Sequence, residues 1–140
     1  MTTITSCTPL LNVADVEASL KFWRDLIGFA VTFRYEPDGR LMYASLQSGE
    51  VRLMLNGRGG DPAGRRARPH YTEAVLSMGV PSVHALVRNL RAKGFEAPEP
   101  EAESYGLDEI VIRDPDGYEI AFTSPIAELP TRAGAASDRA

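Results

Sequence analysis

Apolar and polar residues alternate from Ile110 to Phe122 in a pattern that predicts a β-hairpin. Ile110 and Ile112 alternate with Val111 and Arg113, and Tyr118, Ile120 and Phe122 alternate with Glu119, Ala121 and Thr123. Between the two runs, Asp114-Pro115-Asp116-Gly117 supplies a proline suited to a turn's second position and a glycine for positive φ. An earlier segment repeats the plan: Met42, Ala44 and Leu46, a turn at Gln47-Ser48-Gly49, then Val51, Leu53 and Leu55. The chain therefore reads as internally doubled.

The segments before each hairpin extend the repeat. Cys7 to Val13 predicts a strand, and Pro9 within it requires a sheet edge or a bulge. Asp15 then suits a helix N-cap. Val16, Leu20, Trp23 and Ile27 follow at helical spacing, Phe22 and Leu26 widen the stripe, and Gly28 ends it. Trp23 belongs to the core on this pattern. Phe29 to Tyr35 predicts a second strand and Glu36 to Gly39 a turn. In the second half, Tyr71 to Val80 is strand-like, Ser82 caps a helix carrying Val83, Leu86, Val87 and Leu90, and Gly94 closes it. Setting Val13-Ala-Asp-Val16 over Val80-Pro-Ser-Val83 aligns the halves, and Phe95 follows Gly94 as Phe29 follows Gly28. A strand is expected near Phe95 to Ala97, then a loop from Pro98 to Ser104. The predicted organisation is a first module over 1–56, an exposed Gly-, Arg- and Pro-rich linker over 57–70, a second module over 71–126, and a disordered tail over 127–140.

Composition narrows the class. With 140 residues, 44% of them hydrophobic, the chain can bury a proper core. No apolar run reaches membrane-span length, and Met1 to Ser6 lacks the basic start and apolar centre of a signal peptide, so a cytoplasmic location without membrane association is expected. The single Cys7 permits no internal disulfide and, with no base beside it, reads as a buried small side chain. A net charge of −4 argues against a nucleic-acid partner.

The duplication, the stretch Leu11 to Phe29 with its Asp-capped helix, and Arg113-Asp-Pro-Asp-Gly117 together resemble the vicinal oxygen chelate superfamily. That group includes glyoxalase I, extradiol dioxygenases, fosfomycin-resistance enzymes and bleomycin-resistance proteins. The resemblance covers roughly residues 5–125. It implies an α+β fold of two βαβββ modules whose curled mixed sheets form a cup with helices outside. In the metal enzymes of this superfamily, ligands stand at positions that fall here on Thr8, Met54, Val75 and Ala121. These offer at most one hydroxyl, whereas a divalent ion needs three or more oxygen or nitrogen donors. No metal and no other cofactor is therefore expected. Glu73 and Glu119 lie two residues from Val75 and Ala121 and so share their strand faces, but too far along to replace them. His70 and His84 read as exposed histidines.

Alternation assigns Thr8, Leu10, Asn12, Tyr43, Ser45, Arg52, Met54 and Asn56 of the first module to the concave face, with Val75, Ser77, Glu109, Val111, Glu119 and Ala121 of the second. Tyr105, before Gly106, is placed at the rim, where the bleomycin-resistance group carries a Trp-Gly pair. An apolar lining with scattered polar groups suits a small organic ligand. The resemblance is closest to the metal-free bleomycin-resistance-like group, whose first strand is exchanged between two subunits with ligand at the interface. It implies a homodimeric, metal-independent protein that sequesters an organic compound, as in antibiotic resistance. The alternative is a glyoxalase-like lyase, isomerase or dioxygenase using a displaced metal site or acid–base groups such as Glu109, Glu119 or Tyr43.

Overall fold

The computed structural model describes residues 1–126; the tail expected over 127–140 lies outside the described residues. The chain divides into two compact units, Met1–Ala67 with Asp114–Gly117, and Arg68–Arg113 with the residues from Tyr118 onward.

In the first unit, β1 (Leu10–Asn12) is followed by the helix α1 (Val16–Leu20), β2 (Ala30–Tyr35), β3 (Tyr43–Ser48), β4 (Val51–Asn56) and the short helix α2 (Pro62–Arg66). The sheet order is β1-β4-β3-β2, with β1 parallel to β4 and the other pairs antiparallel. β1 is thus an edge strand, and Pro9 precedes it and donates nothing: its carbonyl accepts the Met54 amide at 2.9 Å. Only Leu10–Asn12 of the strand expected over Cys7 to Val13 forms, and Cys7 is exposed rather than buried, because it lies outside the paired segment.

The Asp15 carboxylate caps α1 by accepting the Ala18 amide at 3.2 Å. The helix widens to π geometry over Lys21–Ile27 and closes at Gly28, where φ is 106° and the amide reaches the Trp23 carbonyl at 3.1 Å. Trp23 is fully buried, with Phe22 and Phe29 edge-on to it at centroid distances of 5.1 and 5.7 Å. Its Nε1 donates to Asp114 Oδ2 at 3.3 Å, so the turn Asp114–Gly117 is part of this core. Asp116 holds the same turn by accepting the Ala14 amide at 2.8 Å. Arg65 donates to the Asp116 carbonyl at 2.9 Å and Arg66 to the Pro115 carbonyl. Both arginines come from α2, capped by Asp61, within the segment expected to be a linker.

The second unit repeats the topology. Its elements are β5 (Val75–Gly79), α3 (Val83–Ala92), β6 (Glu101–Ala102), β7 (Leu107–Arg113) and β8 (Glu119–Pro125), in sheet order β5-β8-β7-β6, with β5 parallel to β8. Ser82 caps α3 as Asp15 caps α1, accepting the Ala85 amide at 3.1 Å. Val83, Val87 and Leu90 of α3 are buried, as are Ile110, Ile112, Ile120 and Phe122 on the inner face of the sheet. The strand expected over Phe95 to Ala97 does not form. Both Nε and Nη2 of Arg91 bind the Ala97 carbonyl, Pro98 and Pro100 lack amides, and sheet pairing resumes only at Glu101.

Candidate functional site

β5, β7 and β8 of the second unit carry a cleft on the face opposite their buried side. Register fixes its floor: Val75 pairs with Glu119, Ser77 with Ala121, Val111 with Ala121, and Glu109 with Thr123. Because strand side chains alternate, Val75, Ser77, Glu109, Ala121 and Thr123 share one face. With Tyr71, Glu103, Tyr105 and Leu107 they line a cleft of about 540 Å³. The turn that follows β6 positions Tyr105, since the Glu103 amide reaches the Leu107 carbonyl at 2.7 Å and the Gly106 amide the Glu103 carbonyl at 3.0 Å.

Two tyrosines converge on one carboxylate. The Tyr105 hydroxyl donates to Glu109 Oε2 at 3.0 Å, and the Tyr71 phenol lies near enough to feel the same charge. Desolvation, then the Glu109 carboxylate, pushes both phenols up to about 12, so both remain protonated donors at neutral pH. Their rings stay accessible, with Tyr71 56% and Tyr105 58% exposed. Tyr71 is held in the left-handed region at φ 63°. Its amide donates to Glu119 Oε1 at 2.8 Å, which helps fix that backbone.

Glu119 shares the strand face but serves a different purpose. Its side chain is buried and gathers the Tyr71 amide, His70 Nδ1 and, at 3.5 Å, Arg113 Nη2. Burial would raise this carboxyl, yet the Tyr71 amide, His70 and Arg113 outweigh it and hold it below the usual carboxylate range. His70 is exposed as expected whereas His84 is half-buried, and each has a carboxylate partner, His84 Nε2 lying 3.3 Å from Asp108.

Of the second-module residues assigned to the concave face, Val75, Ser77, Tyr105, Glu109 and Ala121 meet in the cleft. Val111 and Glu119 lie on its face and outside its lining. Sequence reasoning missed Tyr71, Glu103, Leu107 and Thr123. Leu107 and Thr123 continue the alternation that selected Glu109 and Ala121, so a longer strand assignment finds them.

In the first unit, Leu10, Asn12, Tyr43, Ser45, Arg52 and Met54 share the face away from its buried leucines, as register shows by pairing Leu10 with Met54, Ser45 with Met54 and Tyr43 with Asn56. Tyr43 and Ser45 hydroxyls are bonded at 2.9 Å, and Asn56 donates to Asn12 at 3.1 Å. A bulge between Val31 and Phe33 turns Phe33 and Tyr35 onto this face, where they are 54% and 53% exposed. Thr8 precedes β1 and is half-buried. Val75, Ala121 and Met54 stand at three of the four positions that the resemblance assigns to metal ligands, and their side chains offer no oxygen or nitrogen donor. These residues do not suit a divalent ion. Among the described residues, no three His, Cys, Asp or Glu side chains are grouped to hold one.

Residues 3–122 match the family described as the Glyoxalase/Bleomycin resistance protein/Dioxygenase superfamily. The chain belongs to this superfamily. Solved structures agree on the fold. The bleomycin-binding protein of Streptomyces verticillus, complexed with copper(II)-bleomycin, is 21% identical with a TM-score of 0.62, covering 89% of this chain and 98% of that one. An antibiotic-binding protein from a Streptomyces species is 19% identical with a TM-score of 0.67, covering 89% and 99%. A lactoylglutathione lyase from Agrobacterium tumefaciens is 15% identical with a TM-score of 0.63, covering 88% and 96%. A comparison with curated protein sequences finds no match. The same fold thus carries binding proteins and an enzyme, and the residues of the cleft have to distinguish them.

Proposed function

We propose that this protein binds an organic compound in the cleft of its second sheet and sequesters it without chemical change and without a metal. The observation that carries the reading is the cleft itself. It offers about 540 Å³ of open space, an apolar floor at Val75, Leu107 and Ala121, and orienting groups at Ser77, Thr123 and the two tyrosines. The hydrocarbon side chains at Val75 and Ala121 support the metal-free reading. We further propose a homodimer in the cytoplasm. The exposed Leu10, Phe33 and Tyr35 of the first sheet support an apolar interface, and the short edge strand β1 supports exchange of that strand between subunits.

One observation favours a second reading. The buried Glu119 orients the exposed imidazole of His70, an arrangement suited to a general base. Incubating the purified protein with bleomycin and aromatic antibiotics, then measuring binding and recovering the ligand for mass spectrometry, separates the two. Saturable binding with the ligand recovered intact supports sequestration. Turnover that His70→Ala abolishes would replace it with the acid–base reading.

A further inference from the structure

We infer that the cleft selects an organic cation, an ammonium or methylated ammonium group carried on an apolar body; this rests on the binding reading above. Glu109 stands at the centre of the selection. Its carboxylate has about four acceptor positions, and the Tyr105 hydroxyl uses one of them. This phenol is a donor, so it orients the carboxylate and leaves the remaining lone pairs for a ligand. A second carboxylate, Glu103, lines the same cleft, and its lining residues include no lysine, arginine or histidine.

The cations nearby along the chain are engaged elsewhere. His70 and Arg113 meet at Glu119, and Arg68 pairs with Glu73 at 3.0 Å. Among the described residues, no basic side chain forms an ion pair with Glu103 or Glu109. A ligand cation supplies the missing charge.

The rings add a second attraction. A cation within about 6 Å of a tyrosine ring is drawn to its face, most strongly where water is displaced, and aromatic groups around a carboxylate are the usual means of holding methylated ammonium. Here Tyr71 and Tyr105 are both more than half exposed while the Tyr105 hydroxyl is fixed. Tyr71 is held in this place at the expense of left-handed backbone, with Glu119 anchoring its amide. The apolar floor then takes the body of the ligand. An anion of the same shape meets two carboxylates, and a neutral molecule gains only the floor.

The test compares three probes of similar size on the full chain by amide-resolved NMR titration: 4-phenylbutylammonium, 4-phenylbutanol and 4-phenylbutanoate. The cation is expected to bind roughly tenfold or more tightly than the alcohol, the scale of a contact to a charged acceptor, with the carboxylate weakest. Glu109→Gln should bring the cation to the affinity of the alcohol without changing that of the alcohol, and Glu50→Gln, on an exposed turn, should change neither. If Glu109→Gln fails to fold, the wild-type ranking decides. Equal affinities for all three probes, or preference for the carboxylate, would overturn the cation assignment and leave sequestration of organic ligands standing. No perturbation of cleft amides by any probe would overturn the assignment together with the binding reading.

Discussion

Asp114→Asn perturbs the joint between the turn and the tryptophan core of the first unit. Asp114 is only 2% exposed, and its two carboxylate oxygens have separate donors: Oδ2 takes Trp23 Nε1 at 3.3 Å and Oδ1 takes the Asp116 amide at 3.0 Å. An asparagine keeps one acceptor and replaces the other with an amide donor. Whichever way the side chain flips, one buried N–H then faces another. The loss combines one charge-assisted hydrogen bond with the desolvation of an unpaired donor, about 2–4 kcal/mol together. For a chain of this size that lowers Tm by roughly 6–14 °C. Trp23 is the sole tryptophan, so its fluorescence during urea or thermal unfolding reports the affected site directly. In a Trp23→Phe background the indole donor is already gone, and Asp114→Asn should cost about 1 kcal/mol less, as a double-mutant cycle would show. A change within about 0.5 kcal/mol of wild type, the ordinary range of a surface substitution, would refute the claim that this contact holds the turn.

Three further outcomes follow from single contacts. Glu119 is held below its ordinary value of 4.5, so its contribution is complete at neutral pH and is lost as pH falls through the folded-state value; Glu119→Gln should cost about 1–3 kcal/mol at pH 7, and urea melts should show that difference shrinking on acidification below pH 4.5. Gly117→Ala should destabilise by about 2 kcal/mol or more in a thermal melt, because φ is 84° and the new Cβ would lie 2.8 Å from Arg65 Cβ and 3.0 Å from the Pro62 carbonyl. Ser19→Ala should stabilise by about 1 kcal/mol, since the Ser19 hydroxyl is buried and has no hydrogen-bond partner among the described residues; an unchanged or lower midpoint in calorimetry would contradict that.

What the sequence made legible is what short-range chemistry decides. Asp15 and Ser82 announce their helices because an N-cap is satisfied within three residues, and Gly28 and Gly117 mark closures that need positive φ. The period-2 pattern places Val75, Ser77, Glu109 and Ala121 on one face because pleating enforces it. Contacts set by distant pairing were not legible. Trp23 reads as core, but its acceptor Asp114 lies 91 positions away, and His70 finds Glu119 49 positions on. The bulge after Val31 leaves no mark in the alternation, yet it turns Phe33 and Tyr35 onto the open face. β6 forms beyond two prolines rather than before them, and this carries Glu103 and Tyr105 into the cleft. Tyr71 was hidden for another reason: nothing in the sequence marks a tyrosine for left-handed backbone.

The proposed function requires an organic ligand to bind in the cleft of the second sheet. It is tested by an amide-resolved NMR titration of the uniformly labelled full chain with 4-phenylbutylammonium. Saturable shifts should be largest at Ser77, Leu107, Glu109, Ala121 and Thr123, and Tyr105→Ala should weaken binding about tenfold, as expected for loss of an aromatic anchor. Shifts that saturate elsewhere, with these five amides unmoved and Tyr105→Ala without effect, would contradict it.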